Sequence, residues 1–244
     1  MKKAKGFCLK VMLPLVILGC ALVSCNKDDD NNAATQADAA DMVEATVIEN
    51  SNGFAKLATD ANADASAQRI YTTTPAINCG QQYSVTYNPF YTGAYYTYNY
   101  TGTRTYTLQC TDGIPTTLLY TSNIAGTYTT PTIQSNDTSA ASLSISNLGA
   151  QNATAVINGT YNRNGYQESR VRQRRSFNSV IALTLQNIVV NKTTSKIMGG
   201  TAVVSVTGTG SQGASFSYNG TITFNGDNTA TLVINGTTYT INLQ

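Results

Sequence analysis

The 244-residue chain contains no histidine. Histidine is the usual proton-transfer group at neutral pH and the commonest metal ligand. Ser-His and Cys-His nucleophiles are therefore excluded, and no metal is expected. Glycoside hydrolysis needs two carboxylates facing one bond. Beyond residue 70 the chain offers Asp112, Asp137, Glu168 and Asp227. Asp112 precedes Gly113, Asp137 follows Asn136 and Asp227 follows Gly226, positions that suit turns in which Asp bonds nearby backbone. Lys192 and Lys196, the remaining partners for a Ser-Lys pair, sit in a polar turn. Neither a phosphate loop nor a dinucleotide fingerprint is present. These absences point away from an enzyme and away from any cofactor.

Two sets of residues could bind a ligand without catalysis. The first is basic: Arg163, Arg170, Arg172, Arg174 and Arg175. Read as a strand, Arg170, Arg172 and Arg174 share one face at spacings of about 7 Å. Guanidinia so placed could grip sulfate, phosphate or carboxylate groups. The competing reading is a solvated edge strand protected by charge, or a partner for the acidic tether behind Cys25. The second set is aromatic. Tyr96, Tyr98 and Tyr100 share one strand face within a run that also holds Tyr87, Phe90, Tyr91, Tyr95 and Tyr106. Tyrosines stack on sugar rings at low entropic cost, but Tyr is also an ordinary strand residue.

The N-terminus supplies an address. Lys2, Lys3, Lys5 and Lys10 precede an apolar run from Val11 to Val23. At 13 residues it is shorter than the roughly 20 needed to span a bilayer and matches the apolar core of an export signal. Leu22-Val23-Ser24-Cys25 resembles the lipobox of bacterial lipoproteins; Ile17-Leu18-Gly19-Cys20 is a weaker second match. That resemblance implies cleavage before Cys25, diacylglycerol and palmitate-type acyl chains on its sulfur, and anchoring in a lipid bilayer. Asn26-Lys27-Asp28-Asp29-Asp30 is similar to the export signal of Bacteroidetes-type surface lipoproteins, which implies the outer face of the outer membrane. The periplasmic face is the second choice. In an oxidising compartment the two cysteines left after residue 25, Cys79 and Cys110, are expected to form a disulfide.

Charge follows the same division. Residues 26–69 hold nine acids against Lys27, Lys56 and Arg69, whereas residues 70–244 hold eight bases and four acids. That small surplus does not suit nucleic acid. Only 11% of the chain is charged, well under the roughly 25% of an average soluble protein, and Thr, Asn, Ser and Tyr take the place of charge.

These features divide the chain into a signal peptide (1–24), a lipidated Cys25 with a flexible acidic tether (25–37), a helical segment (38–66) and a β domain (70–244). Val43 and Val47 with Ala39, Ala40 and Ile48 predict one amphipathic helix, stopped at Asn52-Gly53, with a short helical piece over 54–67. From Tyr71 the period becomes two. Strands are expected over 83–87, 94–101, 104–110, 116–121 and 126–130, separated at Asn88-Pro89 and Thr101-Gly102. Phe216 to Phe224 reads as one strand with a bulge at Gly220. A tight turn at Asn235-Gly236 pairs Ile234 with Thr237, Leu232 with Tyr239 and Ala230 with Ile241. Ile157-Asn158-Gly159 reads as a similar turn. The expected fold is all-β, an antiparallel meander forming a sandwich or a curved half-open barrel, with one N-terminal amphipathic helix. The expected role is non-catalytic contact with a glycan or an envelope protein, or else carriage of an apolar ligand inside the curved sheet.

Overall fold

The computed structural model describes residues 33–172 and 174–244. Cys25 and the acidic run behind it lie outside the described residues.

Thr35 caps the first helix, α1 (Gln36–Val47). Its hydroxyl accepts from the Asp38 N–H at 3.2 Å, and the Asp38 carboxylate accepts from the Thr35 N–H at 2.8 Å. This reciprocal pair satisfies donors that a helix start leaves free, and it begins the helix two residues before the expected Asp38. Eight of the twelve α1 residues are buried, Asp38 and Thr46 among them. Ala37, Asp41 and Glu44 form one half-buried stripe at helical spacing, opposite the buried apolar face, as expected of an amphipathic helix. After Val47 the chain makes one 3-10 turn (Glu49–Ser51), passes through Asn52 at φ 56°, and enters a second helix, α2 (Phe54–Ala67). A Cβ on Gly53 would lie 2.6 Å from the carbonyl oxygens of Thr46 and Ile48. Only glycine permits that approach, so Asn52-Gly53 joins two full helices instead of ending one.

Eleven strands follow among the described residues: β1 (Gln82–Tyr87), β2 (Phe90–Thr92), β3 (Thr97–Thr111), β4 (Ile114–Thr129), β5 (Ile133–Ser146), β6 (Thr154–Ser169), β7 (Ser176–Asn191), β8 (Ile197–Gly210), β9 (Ser215–Phe224), β10 (Thr229–Ile234) and β11 (Thr237–Asn242). From β3 onward each strand pairs antiparallel with the next, while β1 and β2 share the free side of β3. The result is one open, curved antiparallel sheet rather than two facing sheets. The strands β3 to β8 run 14 to 16 residues each, far beyond the usual length of about 5–6.

Register explains both the agreements and the corrections. At Asn235-Gly236 the observed pairs are Ile234 with Thr237, Leu232 with Tyr239 and Ala230 with Ile241, as expected. Gly102 does not break its strand. It pairs with Ile124 inside β3, and a Cβ there would lie 2.1 Å from the Asn123 carbonyl oxygen. The two strands expected over 116–121 and 126–130 likewise form one strand, β4, which ends at Thr129 and has Pro115 near its start. Gly220 carries no bulge: β8 pairs regularly across it, and the β10 pairing reaches it at Ile234 without a shift. The irregularity instead falls in β6 between Ile157 and Gly159, mid-strand, where a turn was expected.

Burial alternates along the long strands. The buried face holds Tyr100, Leu108, Tyr120, Ile145, Leu183, Val204 and Leu232 in one apolar cluster with Met42, Val43, Phe54 and Ala58 of the helices. α1 touches β5, β7, β8 and β10, and the 3-10 turn touches β3. The helices thus fill the concave side of the sheet. The Glu49 N–H donating to the Leu243 carbonyl at 2.9 Å ties that filling to the end of the chain.

Candidate functional site

The strands hold four charged side chains: Arg104, Asp137, Arg163 and Glu168. Three of them are buried on the concave face. Asp137 does not sit in a turn; it lies mid-strand in β5 opposite Gly165, and its side chain is fully buried. Its neighbour on β6 is Arg163, with Nε 3.6 Å from Asp137 Oδ1. Tyr100 donates to the same oxygen at 2.8 Å and Ser135 to Oδ2 at 2.7 Å.

Arg163 is completely buried and closes the end of α1. Its Nη1 donates to the Ala45 carbonyl at 2.8 Å, and Nη2 donates to Ser51 and Asn52 at 3.0 and 3.2 Å. Ala45 lies in the last turn of α1, whose carbonyls a helix end leaves unsatisfied and where a cation complements the dipole, and Ser51 and Asn52 lie in the connection to α2. The guanidinium also lies 4.6 Å from the centroid of Tyr128. Burial opposes its charge, but Tyr100, Tyr161 and Asp137 raise its pKa well above the ordinary arginine value.

A second cluster fixes α2. Arg104 of β3 donates to Asp60 Oδ2 at 2.6 Å and lies 3.6 Å from Asp64. Its guanidinium stacks on Tyr87, 3.1 Å from the ring centroid. Tyr87 donates to Asp60 at 2.6 Å and Tyr120 to Asp64 at 2.7 Å, while Lys56 pairs with Asp60 one turn away. Burial alone would raise the Asp60 carboxyl; Arg104 and then Lys56 hold it below the usual aspartate value.

The predicted site residues divide. Tyr98 and Tyr100 face the core at 9% and 1% exposure, so Tyr96, Tyr98 and Tyr100 form no open platform. Tyr96 lies in the β2–β3 loop, half-buried, beside a depression of about 220 Å³ whose other wall includes Glu44 and Ala45 of α1 and Ile48 just after it. The exposed aromatics among the described residues are Phe90 (78%), Tyr95 (73%), Tyr166 (45%) and Tyr91 (43%). Arg170, Arg172 and Arg174 occupy the β6–β7 turn, not a strand, and do not share a face. Arg172 turns inward to pair with Asp41 and lies 3.7 Å from Asp38, which Arg175 meets at 2.8 Å. Arg170 and Arg174 remain together, with Pro131, Gln134 and Glu168, around a polar depression of about 230 Å³. Asp112 and Asp227 lie in the separate β3–β4 and β9–β10 turns, so no two of these carboxylates face a common bond.

Cys79 and Cys110 form the expected disulfide, with Cα atoms 5.7 Å apart. It pins the stretch leading into β1 against β3, where Gly80 N–H donates to Leu108 at 2.7 Å.

Sequence reasoning missed the clusters around Arg163 and Arg104. The signal for each was parity. Arg163 shares a strand face with Tyr161, and Arg104 with Tyr100 and Tyr106. A charge in phase with an apolar row is a buried charge, which must be paired. Comparison of the chain with protein-family models, curated proteins and solved structures finds no match.

Proposed function

We propose that this chain is a lipoprotein held in the outer membrane by acyl groups on Cys25 and displayed at the cell surface, with a non-catalytic binding or structural role toward a glycan or another envelope protein. The observation that carries the reading is Leu22-Val23-Ser24-Cys25 followed by Lys27-Asp28-Asp29-Asp30. One feature of the structure supports a binding role: Arg104, Asp137 and Arg163 are engaged in holding α1 and α2, which leaves outward strand faces rich in Thr, Ser and Asn with scattered exposed apolar residues such as Val180, Met198 and Val203. A carrier of apolar ligands would need an open concave face, and α1 and α2 occupy that face.

Mass spectrometry of the native protein tests the anchor. The expected N-terminal peptide begins at Cys25 and carries a diacylglyceryl mass; an unmodified Cys25 would overturn the reading. Protease treatment of intact cells tests the leaflet, with loss of the folded unit expected and full protection favouring the periplasmic face.

A further inference from the structure

Among the outward-facing residues of the strands Glu168 is the only charge. The face is not featureless. A depression of about 370 Å³ lies over β4 and β5, floored by Ala125 and Ala140. A second, of about 280 Å³, continues it between Thr127 and Asn136, with Tyr166 on its border. Gln134 borders both this one and the polar depression of Arg170 and Arg174. The first two lie in line along the β4–β5 pair, and the arginine depression adjoins the second at Gln134, against the end of β6 and the turn after it. From Asn123 to Thr129 this spans six residue steps, about 20 Å at the usual strand rise, before the arginine end is reached.

We infer that this trough is a binding site for an extended oligosaccharide with an anionic group at one end. The inference rests on the glycan-contact reading above and names its site and ligand class. Thr and Asn side chains both donate and accept hydrogen bonds, as sugar hydroxyls require. Small floor residues leave room for a chain, and an exposed tyrosine offers a ring for stacking. At the arginine end two guanidinia stand against one carboxylate, Glu168, which Gln134 Nε2 engages at 3.1 Å. Arg170 is steadied by donating to the Thr130 carbonyl at 2.5 Å. Arg174 is exposed and makes no ion pair among the described residues. A carboxylate, sulfate or phosphate on the glycan would take its fork. An extended peptide fits less well. The backbones of β4 and β5 are already paired on both sides, which closes strand addition, the mode by which an extended peptide would gain main-chain hydrogen bonds.

The test is calorimetric binding of the full chain to a galacturonate hexamer, a sulfated hexasaccharide, maltohexaose and an acidic peptide. The expected result is binding of one or both anionic oligosaccharides, at least tenfold weaker in Arg174→Glu and in Ala140→Trp, and weakened by added salt. Both residues are exposed, so unchanged melting temperatures would accompany the loss. Equal binding by wild type and both variants would remove the trough while leaving glycan binding elsewhere. Binding of the peptide alone, or of none of the probes, would overturn the inference and leave the lipoprotein reading to the Cys25 and protease tests.

Discussion

Arg163 is the residue on which the filling of the sheet most depends. It meets the Ala45 carbonyl in the last turn of α1, the Ser51 and Asn52 carbonyls of the connection that follows, and one carboxyl beneath it, with no exposure to water. Arg163→Met keeps most of the volume but strands those carbonyls and Asp137. Breaking a buried pair on one side costs about 3–5 kcal/mol, and urea denaturation should read a loss of that order. Adding Asp137→Asn should recover part of it, because the isolated carboxyl is then gone; strictly additive losses would show that the two are not coupled. Glu44 argues in the opposite direction. Burial, and after it Asp41, raises its pKa above the ordinary glutamate value. Between the unfolded and folded values the native state holds the extra proton, so stability falls as pH rises through that window. At pH 7 the ionised side chain is a cost without a hydrogen bond to offset it. Glu44→Gln should therefore raise the thermal midpoint at pH 7 and leave it nearly unchanged near pH 3, where Glu44 is protonated in both states.

At the scale of elements, β1 is the exposed case. Its six residues are exposed or half-buried, and its only strand partner is β3. The Cys79–Cys110 bridge, separated by 31 residues, holds the stretch before it. Replacing both cysteines with serine should cost about 2–4 kcal/mol and accelerate amide exchange in β1 before that in β6 or β7; uniform exchange would place the bridge outside the local stability of that edge. The legibility of the elements in the sequence follows the same division between local and distant causes. The β10–β11 hairpin was readable because a two-residue turn and alternating apolar residues agree on one register. Gly102, Gly220 and Asn158-Gly159 were misread because glycine is a local signal of turns, whereas in a long sheet it also marks where neighbouring backbones crowd. Asp137 was assigned to a turn for the same reason: nothing adjacent in sequence announces Arg163, 26 residues away, as its partner. The second helix was legible only as a short piece, since its alanine-rich surface acquires meaning from the sheet around it. The arginine turn was read as a strand because Arg170, Arg172 and Arg174 alternate, and the acids that draw Arg172 and Arg175 inward lie more than 130 residues earlier.

For the whole molecule, the question is whether the helices are a permanent core or a removable plug, since a lipid carrier would need them to leave. Three arginine groups hold them from the sheet side: Arg104 on α2, Arg163 at the end of α1, and Arg172 with Arg175 at its start. The buried face of α2 adds Phe54, Leu57, Ala58 and Ala61 to the same apolar cluster as the strands. Releasing the helices would uncover that cluster, strip Arg163 of the Ala45, Ser51 and Asn52 carbonyls, and part Arg104 from Asp60 and Asp64; removing one partner of a buried ion pair costs about 3–5 kcal/mol. Opening should therefore be as rare as global unfolding. Native-state hydrogen exchange reads this directly. Amides of residues 36–67 are expected to exchange at the slow rate of the central strands β6 to β8, with the same denaturant dependence. Faster exchange in the helices, while the sheet stays protected, would mean that the concave face opens on its own, and the carrier reading would then replace the binding one.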